Sequence, residues 1–333
     1  MTAHPTATDH AQASLLLLDT HQVSALLQPQ DVLRAVHEAF TLHSQRAGRV
    51  FPVVREALPT GGVFGIKSGD VPAQGLLGFK AAGFWPANRA QGGEPHQATV
   101  LLIDPATGRP LCMLDGNAIT TERTGAAGAL GLQQLARPDS ARLCLFGTGV
   151  QARVQLRFAL RVLPQLTSVR YLTHDGRQRP DFEAQFKDLC EVIHRTDANA
   201  AVAESDVLIT ATPGGGALFD AAAVRPGTHI NAVGTDTRGK RELPEGLLKR
   251  VRVFVDDTAQ ARSLGEAQWA APDLPCTELG DVLTGQAPVV PRGAQDITVF
   301  DMTGLALQDL TVARMLHTQA LARGLGTAIA WPW

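Results

Sequence analysis

What the sequence has little of narrows it first. Lysine and arginine (30) nearly balance aspartate and glutamate (32), and the formal charge of −2 provides no basic field, which argues against nucleic acid as a main partner. Cysteine is scarce: Cys112, Cys144, Cys190 and Cys276 show no CxxC spacing, and the first two lie in strand-like apolar runs. They read as reduced core thiols of a cytoplasmic protein, with neither a disulfide framework nor a metal site expected. Long hydrophobic runs are missing as well. Leu15-Leu16-Leu17-Leu18 is too short for a signal-peptide core or a membrane span, and nothing basic precedes it, so no membrane partner is expected. No internal repeat or low-complexity tract is evident.

What is present is a chain of 333 residues, 44% hydrophobic, which is more than one core usually spans; two domains are expected. Met1–Ser14, rich in Thr, Ala, His and Pro, reads as a frayed tail. Apolar spacing predicts a helix over Gln30–Ala47. The pattern then changes to short strands at Val50–Val54, Gly62–Ile66, Leu76–Phe84, Thr99–Ile103 and Leu111–Leu114, the last two joined by a turn at Asp104–Gly108. An Ala- and Leu-rich helix is expected from Thr120 to Leu135, bridging the domains. Strand–helix alternation follows, with strands at Leu143–Phe146, Val169–Leu172, Val207–Thr210, His229–Val233, Val251–Val255 and Ile297–Phe300. Short, wholly apolar strands fit a sheet covered on both faces. A last helix, Leu307–Ala322, is expected to return to the first domain.

Gly147-Thr148-Gly149-Val150-Gln151-Ala152 follows a strand and opens a predicted helix over Val150–Val162. This is the GxGxxG/A pattern, in which glycines let backbone amides approach a pyrophosphate at a helix N-terminus. In that position a cofactor cradle outweighs a plain structural turn. The next strand places Thr173 where an acid would hold NAD by its ribose hydroxyls. Asp175 comes two residues late with Arg177 and Arg179 nearby, so NAD and NADP both remain open.

Four cations stand out in the first half. Lys80 is the single charge in the apolar run Gly75–Pro86, where an unpaired ammonium costs several kcal/mol to desolvate. Lys67 shares a strand face with Val63 and Gly65, and reads either as a strand-end lysine reaching solvent or as a site residue. Arg55 has a surface ion pair as its plainer reading. Arg123 is expected at a helix start, where a cation opposes the dipole and more plausibly serves an anion. Asp236 follows a strand whose carboxyl end is where ligands bind in open α/β sheets, though a turn aspartate is also consistent. His96 lies in a loop without a distinguishing pattern.

In order along the chain, Leu77–Lys80, His96-Gln97, Asp104–Pro110, Ile119–Thr124, Gly147–Ala152, Val233–Leu243 and Val299–Asp301 resemble the ornithine cyclodeaminase/μ-crystallin family over nearly the whole length. Phe51–Ala57, Lys80–Pro86, Gly234–Leu243 and Thr298–Asp309 are most similar to its iminosuccinate reductases. The resemblance implies an α/β fold class: a Rossmann-type doubly wound parallel sheet (120–309) plus a second α+β substrate-binding and dimerisation domain (15–119 and 310–333) whose strands pair across a homodimer. It implies that Lys80 and Asp236 flank the reacting carbon, and that Arg123 and Arg55 hold a substrate carboxylate. His96, Arg123, Thr124, Gly147, Thr148, Gly149, Val150, Gln151, Thr173, Arg177, Thr212, Val233, Lys240 and Thr303 would line the cofactor, with NAD(H) favoured over NADP(H). Two departures matter: cyclodeaminases usually carry Met where Lys67 stands, and family members ordinarily carry Ser near Met302.

The expected activity is NAD(P)H-dependent imine reduction on a small anionic imino acid, iminosuccinate to L-aspartate, with Lys80 donating a proton or holding a water that does. Lys67 is the discriminator. A second carboxylate needs an extra cation, whereas ornithine brings its own positive charge and would be repelled. Ornithine cyclodeaminase, alanine dehydrogenase and cyclic ketimine reductase are the alternatives within the family, and a μ-crystallin-like binding protein is the alternative outside catalysis.

Overall fold

The computed structural model describes residues 13–287 and 293–332. The first sheet contains β1 (Ala13–Leu18), β2 (Arg49–Val50), β3 (Val54–Ala57), β4 (Val63–Val71), β5 (Leu76–Phe84), β6 (His96–Ile103), β7 (Pro110–Asp115) and the late strand β16 (Thr327–Trp331). Its order is β16-β1-β7-β6-β5-β4-β2, with β3 also on β4; all neighbours run antiparallel except the parallel pair β1–β7. The second sheet, wholly parallel, contains β8 (Arg142–Phe146), β9 (Ser168–Leu172), β10 (Glu191–His194), β11 (Val207–Thr210), β12 (His229–Ala232), β13 (Arg252–Val255), β14 (Cys276–Glu278) and β15 (Thr298–Asp301) in the order β10-β9-β8-β11-β12-β15-β13-β14. The order reverses between β8 and β11, and that switch point is where a doubly wound sheet opens a ligand crevice.

Helices α1 (Thr20–Leu26), α2 (Pro29–Ser44), α3 (Gly116–Leu135), α4 (Val150–Val162), α5 (Pro180–Phe186), α6 (Ala198–Ala203), α7 (Thr258–Leu264), α8 (Leu279–Thr284) and α9 (Ala306–Arg323) complete the set of helices longer than a 3-10 turn. Helix α9 packs on α2, α3 and strands β4–β6, so the chain does return to the first sheet after the parallel one. One apolar core is continuous from the helical side of the first sheet, through α2, α3 and α9, to one face of the parallel sheet; a second lies on that sheet's other face. Among the described residues no helix is long and apolar enough to cross a membrane.

Four expectations need correction. Ala13 and Ser14 are not tail: they open β1, paired to Trp331 and Ala330. Residues 1–12 lie outside the described residues. The expected strand Val50–Val54 is two strands, because Pro52 has no N–H to give a ladder. Helix α3 begins at Gly116, capped by Asp115, whose carboxylate accepts from the Asn117 and Ala118 amides. Arg123 is therefore two turns into that helix, and no helix-dipole penalty acts on it.

Candidate active site

The pleat of the first sheet builds a cationic face. Lys67 on β4 stands directly opposite Lys80 on β5, and Arg55 on β3 stands opposite Gly65, two residues before Lys67 and on the same side. Like charges set opposite each other destabilise a strand pair, so this arrangement costs stability unless anions compensate it. Helix α3 adds Arg123, the segment after β12 adds Asp236, and the Met302-Thr303-Gly304 turn after β15 closes the space. Arg55, Lys67, Lys80, His96, Arg123, Asp236 and Thr303 all line one cavity of about 70 Å³. Sequence alone left Lys67 between solvent and site; its side chain is buried on this cavity wall.

Each cation is held by named partners. Lys80 Nζ donates to Asp309 Oδ1 at 2.9 Å and to Thr120 Oγ1 at 3.2 Å. Arg123 donates through Nε to Asp309 Oδ1 at 3.1 Å and through Nη1 to Gln308 Oε1 at 3.0 Å. Gly304, at φ +83°, leaves the room this needs, since a Cβ there would lie 2.5 Å from Arg123 Nη1. Lys67 Nζ donates to the carbonyls of Thr303 (2.6 Å) and Gly304 (2.8 Å). The same turn is tied from behind by Asp256, which accepts from Thr303 Oγ1 at 2.6 Å and from the Gly304 amide. Asp236 accepts from Lys240 Nζ at 2.7 Å and faces Arg55 Nη2 at 3.5 Å.

Burial sets the protonation of the two lysines. Desolvation, with Asp309's attraction only partly opposing it and Arg123 and Lys67 adding to it, lowers Lys80 to about 7. Desolvation and the charges of Arg123 and Arg55 lower Lys67 to about 8. Both are thus poised to exchange protons near neutrality. Burial pushes Asp236 up, but Lys240, Arg55 and Lys67 outweigh it and hold the carboxyl well below the usual range. Desolvation, with Lys80's charge, keeps His96 below its ordinary value; its Nδ1 lies 2.9 Å from Asn117 Oδ1.

At the switch point of the parallel sheet, β8 runs through Gly147 and Gly149 into α4. Gly147 has φ +100°, and a Cβ there would lie 2.7 Å from the Ala211 carbonyl. Gly149 is the N-cap of α4 with no side-chain cap, and a Cβ there would meet nothing within 4 Å. Gln151 Oε1 is buried without a hydrogen-bond partner. Uncapped amides and an open hollow fit a dinucleotide pyrophosphate at this turn, while the unpaired Gln151 oxygen suits a hydroxyl donor rather than an anion. Thr173 Oγ1 donates to the Arg177 carbonyl at 2.8 Å, while Arg179 grips Asp175 through both carboxylate oxygens at 2.8 and 2.7 Å. Arg177 is exposed beside them.

Not every expected residue offers a free group. The Thr212 hydroxyl and amide both donate to Glu242 at 2.7 Å, a buried carboxylate that also takes Thr210 Oγ1 and the Gly234 amide. The Thr124 hydroxyl is used on the Thr120 carbonyl at 2.7 Å, and Lys240 is drawn to Asp236. Val233 is buried beneath the crevice, and Thr148 and Val150 flank the glycine turn. Sequence reasoning missed Asp309, Asp256 and Gln308. The signal for Asp309 was the one that picked out Lys80: a lone charge in the apolar run Leu305–Leu310.

Residues 14–324 match the model of the ornithine cyclodeaminase/mu-crystallin family. The chain is 33% identical over 325 residues to the iminosuccinate reductase of Paracoccus denitrificans, covering 95% of this chain and 99% of that protein. The structure of that reductase with NAD+ superposes with a TM-score of 0.85 at 32% identity, covering 95% of this chain and 99% of the other. An archaeal alanine dehydrogenase dimer with bound NAD gives a TM-score of 0.89 at 31% identity, over 96% of this chain and all (100%) of that one. The Thermococcus litoralis Delta(1)-pyrroline-2-carboxylate reductase, solved with NADH and L-proline, gives 0.86 at 27% identity, over 94% of this chain and 100% of the other.

Proposed function

The chain belongs to the ornithine cyclodeaminase/mu-crystallin family and is an NAD(P)-dependent oxidoreductase acting on CH–NH2/C=N bonds; we propose that it reduces iminosuccinate to L-aspartate. The observation that carries this reading is Lys67 on the cavity wall opposite Lys80. Among the described residues Arg55, Lys67, Lys80, Arg123 and Lys240 meet the carboxylates of Asp236, Asp309 and, behind the Thr303-Gly304 turn, Asp256, so a ligand with two carboxylates balances the surplus. The size of the cavity suits a four-carbon compound better than a ring with a long side chain.

A nicotinamide cofactor held at the Gly147–Gln151 turn would supply a hydride. NAD(H) is favoured, as the solved relatives carry it. Lys80 donates a proton to the imine nitrogen, which raises the electrophilicity of the carbon; the ammonium becomes an amine and regains its proton from solvent. Asp236, ionised at every physiological pH, stabilises positive charge on that nitrogen. Arg123 and Arg55 orient the α-carboxylate and Lys67 the second one. We assign 120–309 to cofactor binding, and 15–119 with 310–333 to substrate binding and dimerisation. Both boundaries fall inside helices, α3 and α9, that the two halves share. The unpaired thiols suit a cytoplasmic location.

The test is an oxidation screen of NADH and NADPH with oxaloacetate, pyruvate or glyoxylate, each with ammonia. Oxaloacetate with ammonia is expected to be fastest. Release of ammonia and proline from ornithine would instead identify a cyclodeaminase.

A further inference from the structure

We infer that Asp309 is the positioning residue of this site, the one carboxylate that fixes both the proton donor and the carboxylate clamp. The inference rests on the imine-reductase reading for its consequences in turnover, and on geometry for its placement. Asp309 lies in the first turn of α9 with its side chain 0% exposed. It reaches across to two other elements: its oxygens stand 2.9 and 2.8 Å from Lys80 Nζ on β5, and Oδ1 accepts from Arg123 Nε on α3 at 3.1 Å. The adjoining Gln308 takes Arg123 Nη1, so two consecutive residues of α9 hold the guanidinium in plane. Asp309 and Thr120 occupy two of the three Lys80 protons. The third is left for the cavity that Lys80 lines.

The surroundings explain why a carboxylate is needed there. Besides Asp309, the charges that act on Lys80 are Arg123 from α3 and Lys67 from β4, both of which repel its proton; burial lowers the proton affinity of His96 on β6, and Asp236 is engaged by Lys240 and Arg55. Asp256 faces the Thr303-Gly304 turn and Lys67 instead. Asp309 is therefore the direct counter-ion of Lys80. It does not act as an acid, because Arg123, Lys80 and Lys67 outweigh burial and keep it ionised, and the same charges make it a weak base. In the reaction it transfers nothing: Lys80 loses a proton to the imine nitrogen as the C–H bond forms and the C=N π bond breaks, and Asp309 favours return of that proton from solvent.

The experiment uses the full-length protein and the variant Asp309→Asn, which keeps shape and removes charge. The titration of Lys80 is followed without turnover, by the pH dependence of its reductive methylation resolved on its own peptide by mass spectrometry. The midpoint is expected to fall by at least one pH unit (a tenfold change in proton affinity), and kcat/KM for imine reduction at pH 7 to fall roughly fivefold as the protonated fraction drops. An unchanged Lys80 midpoint in folded Asp309→Asn overturns the inference. Asp309→Glu keeps the charge but displaces the oxygens: it should hold the Lys80 midpoint while raising substrate KM, because Arg123 is shifted. Unaltered KM in that variant also overturns it, and decides the matter should Asp309→Asn fail to fold. If the wild-type chain reduces no imine, the functional reading fails, while the methylation curves still judge Asp309.

Discussion

At the scale of single residues, the site converts burial into proton affinity and charge into selectivity. Lys67 is fixed by the Thr303 and Gly304 carbonyls and still lines the cavity, so its charge is available to a second carboxylate. A unit pair at about 4 Å in an effective dielectric of ~20 is worth roughly 4 kcal/mol before desolvation. Lys67→Met should lower kcat/KM for iminosuccinate about 100-fold relative to iminopyruvate while NADH affinity is retained; equal losses on the two substrates would remove Lys67 from recognition. pH gives an independent check. Lys80 loses its proton as pH rises through about 7, so kcat/KM in the reductive direction should decline above that pH, and selectivity for the dicarboxylate should erode as Lys67 follows near 8. The stability sign is opposite. Lys80 in the unfolded chain keeps its proton to about 10.5, so between 7 and 10.5 the unfolded state binds more protons and this group's contribution to stability rises with pH. A reductive profile rising with pH would contradict the donor role.

At the scale of elements, the two glycines of the β8–α4 turn separate folding from binding. Gly147→Ala forces a side chain into a left-handed backbone and against the Ala211 carbonyl, so it should lower Tm by several degrees, in line with ~1–3 kcal/mol. Gly149→Ala meets no protein atom and should leave Tm unchanged while weakening NADH binding at least tenfold, as read by quenching of protein fluorescence. Equal behaviour of the two variants would argue that no cofactor occupies the hollow. Elements of this kind were the legible ones. Leu76–Phe84, Val150–Val162 and Val207–Thr210 have the same bounds in sequence and structure, because uninterrupted apolar runs or clear helical spacing mark both ends. β10 and β14 went unseen, being short and carrying acids or a histidine (Glu191, His194, Glu278) among few apolar residues. β16 escaped for another reason: its five residues are exposed and gain their strand only by pairing with β1, a contact made across the whole chain. The same limit applied to the site. Lys80 betrays itself by local contrast, but its pairing with a carboxylate 229 positions away is a product of tertiary packing that no local pattern carries.

At the scale of the whole molecule, the first sheet has two unlike faces. The inner face carries Lys67 and Lys80 and is covered by α3 and α9. Residues one step along each strand point the other way, and the register aligns Leu17, Met113, Leu101 and Phe79 in one row across β1, β7, β6 and β5. Val54 and Ile329 are also substantially exposed on this outer face. An apolar row on the outer face of the sheet suits association with a second copy of the chain. Burying it would also stiffen the strands that set the distance from Lys67 to Lys80, so association and catalysis should be coupled. We predict a dimer of the 35.4 kDa chain in sedimentation velocity. Leu101→Glu, placed at the centre of the row, should yield a monomer, because one buried unpaired carboxylate costs several kcal/mol in each protomer. The monomer should still bind NADH at the distant glycine turn while its imine turnover drops. A Leu101→Glu protein that stays dimeric would place the interface elsewhere, and a fully active monomer would show that strand spacing at the site does not depend on the partner.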